Sequence, residues 1–476
     1  MFLLSIWQLE SADNGLVVIN TKAGELPVTL ISSGAEDAAS RPLVLIGHGV
    51  AGSRVIMRGY AFTFAHAGYN VALWDFAGHG GNPKPMAEDR DEDTLVADAE
   101  AALAAAQENG FAVDRTAVLG HSMGSGMALS YGMAHPETMA TIAVSPVSRT
   151  ITTELPRNLL LLAEGLDQRF VNNAEQLLDQ AGGPGGDPKA GTARQMEIIP
   201  GVEHITIVFS STAQQSARQW LDDTFGLQPA ASDFIDRRMT WYLLGLVGTL
   251  MFFLSISPLI NNLDDGYEEE NLSTVGRRIG ALIFGALGAT GILYILSHAG
   301  LDINHLLGLL VGGYLLVWFA VAGALSILLL GRVPGQFERP AFLGGLMVFA
   351  ALWIGLGFLG NYVWLPWIMI SKRLILWPLG VLLCLPWFMA IALTALPTTW
   401  WGRILWWLAY TLVLLGGLFL ALRLNPELGF LILILPVFPV VMGLHALVAG
   451  PYRWRVSFAL GGALFIGWLV LAVFPL

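Results

Sequence analysis

The sequence predicts an α/β domain over residues 1–236, with an eight-stranded, mostly parallel sheet, followed by an all-α transmembrane bundle of about eight helices over 237–476. Three observations predict this. In the first part, short apolar runs of strand length alternate with helical patterns, the signature of a parallel sheet covered on both faces. In the second, apolar runs of about 18 residues or more, separated by short polar breaks, have the length a helix needs to cross a bilayer. The charge divides at the same place: 13 Lys+Arg and 28 Asp+Glu up to Asp236 give −15, and 12 and 8 beyond it give +4.

Strands are predicted at 16–20, 26–31, 43–46, 70–74, 116–119, 141–144, 159–162 and 196–199. The first two are separated only by a short glycine-containing turn at Ala23-Gly24 and read as a hairpin; the others alternate with helices. The clearest helix runs from Asp91 to Asn109, with acidic residues at its start and Gly110 at its end. Only about a dozen residues separate the strands ending near Val144 and starting at Leu159, room for a loop or a short helix and no more. The stretch Ala181–Thr192 (AGGPGGDPKAGT) reads as a surface loop.

The most informative stretch is Gly120-His121-Ser122-Met123-Gly124, a G-x-S-x-G pattern. A strand leads in, and a helical pattern over Met127–His135 leads out. A serine on such a sharp strand-to-helix turn stands clear of the sheet, and flanking glycines leave room for the tight backbone. A serine hydroxyl becomes a nucleophile when an imidazole takes its proton and an acid fixes that imidazole's tautomer. The chain supplies Ser122, Asp167 and His204 in that order, each just past a predicted strand. Glu164 competes with Asp167 as the acid; Asp167 is preferred because it sits a few residues into the loop, whereas Glu164 follows the strand immediately.

Further motifs stand in a consistent order: His48-Gly49-Val50-Ala51-Gly52-Ser53 after the third strand, Asp75-Phe76-Ala77-Gly78-His79-Gly80 after the fourth, then the Ser122 elbow, LLLLAEGLD over 159–167, and Ile199-Pro200-Gly201-Val202-Glu203-His204. On these pieces, residues 15–225 resemble the α/β-hydrolase fold family. The resemblance implies a serine esterase- or lipase-like hydrolase that forms an acyl-enzyme, with Ser122, His204 and Asp167 as triad. It assigns the oxyanion hole to the backbone amides of Met123 and Val50. Acyl transfer to a non-water acceptor is a second enzymatic reading. A transporter- or receptor-like membrane half with an accessory hydrolase module is a third.

His48, Asp75 and His79 read as turn organisers. His48, His79 and His121 come from separate loops without metal-ligand spacing, so neither a metal nor a cofactor is expected. The acidic first part argues against nucleic acid and against electrostatic docking on anionic lipid. The single cysteine, Cys384, lies in an apolar run and excludes an intramolecular disulfide. Met1–Trp7 is apolar but short and lacks the basic region and cleavage site of a signal peptide.

Spans are read at 239–260, 279–297, 306–330, 342–364, 374–396, 404–422, 428–449 and 456–475, with Trp and Tyr at many ends. Counted over eight spans, Arg277, Arg278, Arg332, Arg339, Arg403, Arg453 and Arg455 face away from the hydrolase side. Arg237, Arg238, Lys372, Arg373 and Arg423 share its side. That excess leans toward the far side as cytoplasmic and leaves the orientation open. His445 is the main ionisable group inside an apolar run, which weighs against ion-coupled transport. The segment Asp264–Glu270 reads as a solvated connector. A membrane location and an uncapped site point to a small-molecule or lipid acyl substrate; the oligomeric state is not readable.

Overall fold

The structure is a computed structural model and describes residues 1–86, 92–261, 275–331, 338–394, 399–452 and 454–476. Asp91, the Asp264–Glu270 connector, Arg332 and Arg453 lie outside the described residues. The chain forms two compact units. One comprises Leu3–Leu244 with Gly360–Ile368 and Pro475–Leu476; the other comprises Met1–Phe2, Gly245–Leu359 and Met369–Phe474.

The first unit is built on eight strands: β1 Leu16–Ala23, β2 Leu26–Ser33, β3 Leu43–Gly47, β4 Asn70–Trp74, β5 Thr116–His121, β6 Ala140–Val144, β7 Leu159–Glu164 and β8 Arg194–Ile199. Their order in the sheet is β1-β2-β4-β3-β5-β6-β7-β8. β2 pairs antiparallel with β1 and with β4, and all later pairs are parallel. The hairpin register sets Ala23 against Leu26, leaving a two-residue loop whose first position, Gly24, has φ +60°. A tight hairpin turn of the hand that suits twisted strands needs that conformation, which only glycine adopts freely.

β3 to β7 are buried along their whole length, as expected of parallel strands covered on both faces. Strand periodicity sends alternate residues to opposite cores. Helix α1 (Phe2–Glu10) precedes the sheet, and Val44, Ile46, Ala117, Leu119, Leu160 and Leu162 pack with helices α2 (Arg58–His66) and α6 (Ser211–Phe225). Leu43, Leu45 and Val118 pack with α3 (Glu92–Glu108) and α4 (Met123–Ala134), and Leu159, Leu161 and Ala163 pack with α5 (Gln168–Gln180). Residues 145–158, between β6 and β7, contain neither helix nor strand. α4 begins directly after Ser122, four residues earlier than the apolar pattern indicates.

The described residues contain seven helices long and apolar enough to cross a membrane: Arg238–Ile260, Val275–His298, Gly312–Leu330, Arg339–Tyr362, Ser371–Thr394, Trp400–Leu424 and Arg455–Val473. The expected span at 428–449 is not among them. It is broken into Leu431–Ile434 and Val437–Ala449, with Pro436 between. Proline offers no N–H and its ring clashes with the carbonyl four residues back, so the hydrogen-bond ladder is interrupted there. Leu435 and Pro436 keep helical backbone angles, and Arg238–Asn261 and Ser371–Thr394 run through Pro258, Pro378 and Pro386, so the interruption is a kink. Hydropathy alone does not register this break.

Candidate active site

The site is assembled at the C-terminal edge of the sheet. Parallel register sets Gly47 of β3 beside Gly120 of β5, so the loop carrying Val50 and the turn carrying Ser122 leave neighbouring strands. The register His121↔Val144, Val144↔Leu162 and Glu164↔Ile199 then carries the same edge across β6, β7 and β8.

Ser122 has φ 54° and ψ −116°, a conformation rare for a residue with a side chain. Its glycines are required by contact. A Cβ on Gly120 would overlap the backbone of Gly124, and one on Gly124 would overlap the carbonyl of Gly47. Ser122 N–H donates to Val144 O at 3.0 Å, and Ser125 Oγ donates to Ser122 O at 2.6 Å, which fixes the turn from both sides.

His204 follows β8 and joins two partners. Ser122 Oγ lies 3.0 Å from its Nε2, and Glu164 Oε1 lies 2.9 Å from its Nδ1. Nδ1–H facing the carboxylate leaves Nε2 as acceptor for the serine hydroxyl, the tautomer a general base needs. Ser145 Oγ donates to the other carboxylate oxygen, Glu164 Oε2, at 2.8 Å. The Glu164 side chain is fully buried, and the Phe170 ring stacks on the imidazole of His204 at 4.3 Å.

Asp167, preferred on sequence grounds as the acid, is placed elsewhere and is corrected here. It caps the N-terminus of α5, where its carboxylate accepts from the N–H and Nε of Arg169 at 3.1 and 3.0 Å. That pairing with Arg169 holds its pKa below the ordinary carboxylate value. The acid in contact with His204 is Glu164. Strand alternation carries the signal: Glu164 stands on the face of Leu160 and Leu162, the same core that packs α6 and the loop ahead of it. Ser145, Ser125 and Phe170 left no motif in the sequence.

The other histidines and Asp75 support loops. His48 Nδ1 donates to Gly49 O at 2.7 Å and its Nε2 accepts from Phe76 N–H at 3.1 Å, tying the loops after β3 and β4 together. His121 Nε2 donates to His204 O at 2.9 Å, holding the loop that bears the base. Burial lowers the pKa of both, that of His121 to about 3. Buried Asp75 accepts from Arg54 N–H at 2.7 Å, from Gly81 N–H at 2.8 Å and from the Arg54 guanidinium. Met123 opens α4, so its N–H is among those a helix leaves without an internal partner, while Val50 sits two residues past His48. Among the described residues no group of three or more His, Cys, Asp or Glu is arranged to hold a metal ion. A surface cleft beside β8 and α6, lined by Gln195, Glu197, Gln215 and Arg218, includes none of the three joined residues.

Strand order and elbow are those of an α/β-hydrolase fold. Residues 38–197 match the family model described as serine aminopeptidase, S33. Three solved structures are similar to part of the chain. A predicted CIB-like hydrolase from Thermoplasma acidophilum is 19% identical, covering 44% of this chain and 98% of its own, with TM-score 0.34. A dienelactone hydrolase from Anabaena variabilis is 19% identical, with coverage 43% and 96% and TM-score 0.32. A proline iminopeptidase-related protein from Thermus thermophilus is 15% identical, with coverage 45% and 99% and TM-score 0.34. No curated protein gives a significant match.

Proposed function

We propose that this chain is a membrane-bound serine hydrolase that cleaves carboxylic ester or related acyl bonds through an acyl-enzyme. The observation that carries the reading is the continuous chain Ser122–His204–Glu164, with the serine on a strained turn. Ser122 Oγ attacks the carbonyl carbon while its proton passes to His204 Nε2. Glu164 holds Nδ1–H and stabilises the imidazolium. The amides of Met123 and Val50 receive the oxyanion. His204 returns the proton to the leaving group as the tetrahedral species collapses. Water, deprotonated by His204, then releases the acid and restores Ser122.

The substrate is read as a small-molecule or lipid acyl compound. Residues 145–158 supply no cap helix over the site, and the seven apolar helices favour attachment to a membrane. A second reading, hydrolysis of an amide at a peptide N-terminus, draws on the family description alone. Turnover by the purified full chain separates the two. The ester reading expects p-nitrophenyl acyl esters to be cleaved, aminoacyl-naphthylamides not, and ester cleavage to vanish in Ser122→Ala. Amide turnover exceeding ester turnover would replace it with the aminopeptidase reading.

A further inference from the structure

We infer that Ser145 is a positioning residue of the site, holding Glu164 so that one carboxylate oxygen is always presented to His204; this rests on the triad reading above. Four observations converge on it. Its hydroxyl donates to Glu164 Oε2 at 2.8 Å, on the carboxylate oxygen that His204 does not use. Both partners are fully buried, so no bulk water competes for the carboxylate, and a hydrogen bond to a buried anion is of the stronger kind. Its backbone is anchored on the strand that carries the acid, with Ser145 N–H donating to Leu162 O at 2.8 Å. The same segment is tied to the nucleophile turn: Val147 N–H donates at 3.1 Å to Ser125 Oγ, the hydroxyl that holds Ser122 O.

A further observation is conformational. Ser145 has φ +49° and is followed by Pro146, a neighbour that restricts its backbone further. Glycine would occupy that position without strain. A side chain kept at a strained position, with its hydroxyl aimed at a buried carboxylate, is explained by what the hydroxyl does. Fold alone does not ask for it, because the backbone bonds of residue 145 are available to glycine.

This separates a positioning role from a structural one. Ser145→Gly removes the hydroxyl and the strain together, whereas Ser145→Ala removes the hydroxyl and keeps the strain. In the purified full chain, Ser145→Gly is expected to melt above Ser145→Ala, which keeps the strain, while kcat/KM on a p-nitrophenyl ester falls about tenfold. Ser145→Ala is expected to lose the same factor in rate and to melt lower. The acid limb of the kcat/KM profile is expected to move to higher pH in both. Without the hydroxyl's donation the carboxylate carries more charge toward His204 and favours its protonated form. Ser145→Gly with wild-type rate and an unmoved profile would overturn the inference and leave the triad intact, as would a rate loss that merely tracked a lower melting temperature. A wild type that neither turns over ester nor labels with a fluorophosphonate would overturn the triad reading itself, and this inference with it.

Discussion

At the scale of single residues, the two carboxylates after β7 do different work. Asp167 is a half-buried cap paired with exposed Arg169, and asparagine caps a helix as well as aspartate does. Asp167→Asn is therefore expected to leave ester turnover within about threefold of wild type, because exposed ion pairs contribute little. Glu164→Gln leaves His204 without its anion and is expected to lower kcat by roughly 10³- to 10⁴-fold. Steady-state kinetics on the two variants checks both. The buried imidazoles carry a pH consequence. Burial lowers the pKa of His48 and His121, so between the unfolded value near 6.5 and the folded one the unfolded state binds more protons. The stability they confer is whole above about pH 6.5 and falls as the pH drops, by up to about 1.4 kcal/mol per unit for each. His121→Gln is expected to reduce that slope in urea denaturation of the hydrolase unit between pH 6.5 and 4.5. A slope unchanged from wild type would place the acid sensitivity elsewhere. Serine and histidine of the site were legible in the sequence because each follows a strand within a local motif. The acid was misplaced because a loop position was ranked above strand alternation. Ser145 was invisible, since only the tertiary pairing of β6 with β7 brings it to Glu164.

At the scale of elements, the nucleophile turn is a close-packing device as much as a chemical one. Gly124→Ala would drive a methyl group into the carbonyl of Gly47, and the loops after β3 and β5 would have to separate. An overpacking cost of about 1–3 kcal/mol is expected, seen as a lower thermal midpoint, together with loss of activity. The eight strands were readable because each is a short apolar run bounded by turn residues, and all but β4 extend one to three residues beyond their runs. The early start of α4 was not readable: its first turn, Met123-Gly124-Ser125-Gly126, has poor helix propensity and is held by contacts of the elbow. The broken apolar segment is the element-scale counterpart. A hydropathy window averages over Pro436, where the hydrogen-bond ladder is interrupted. Pro475–Leu476 fold with the hydrolase unit, so single cysteines placed at 426 and 451 of a Cys384→Ala chain are expected to react with an impermeant maleimide from opposite sides of the membrane. Reaction from the same side would remove the eighth crossing.

At the scale of the whole molecule, an α/β-hydrolase domain with an acidic surface shares a chain with seven helices able to cross a membrane. Charge and hydropathy change together near Asp236 in the sequence, whereas the compact units divide at Leu244 and the first also takes in Gly360–Ile368 and Pro475–Leu476. The count of crossings was less plain, because proline divides one apolar segment into two shorter helices. Reporter fusions that fluoresce only in the cytoplasm, joined after Leu424, are expected to be bright if the hydrolase domain is cytoplasmic. The central claim remains the joined Ser122, His204 and Glu164. It is tested most directly by fluorophosphonate labelling of the purified full chain, beside Ser122→Ala, His204→Ala, Glu164→Gln and Asp167→Asn. The account predicts strong labelling of wild type and Asp167→Asn, none of the serine and histidine variants, and greatly slowed labelling of Glu164→Gln. A well-folded wild type that does not label, or a Glu164→Gln variant that labels as fast as wild type, would contradict it.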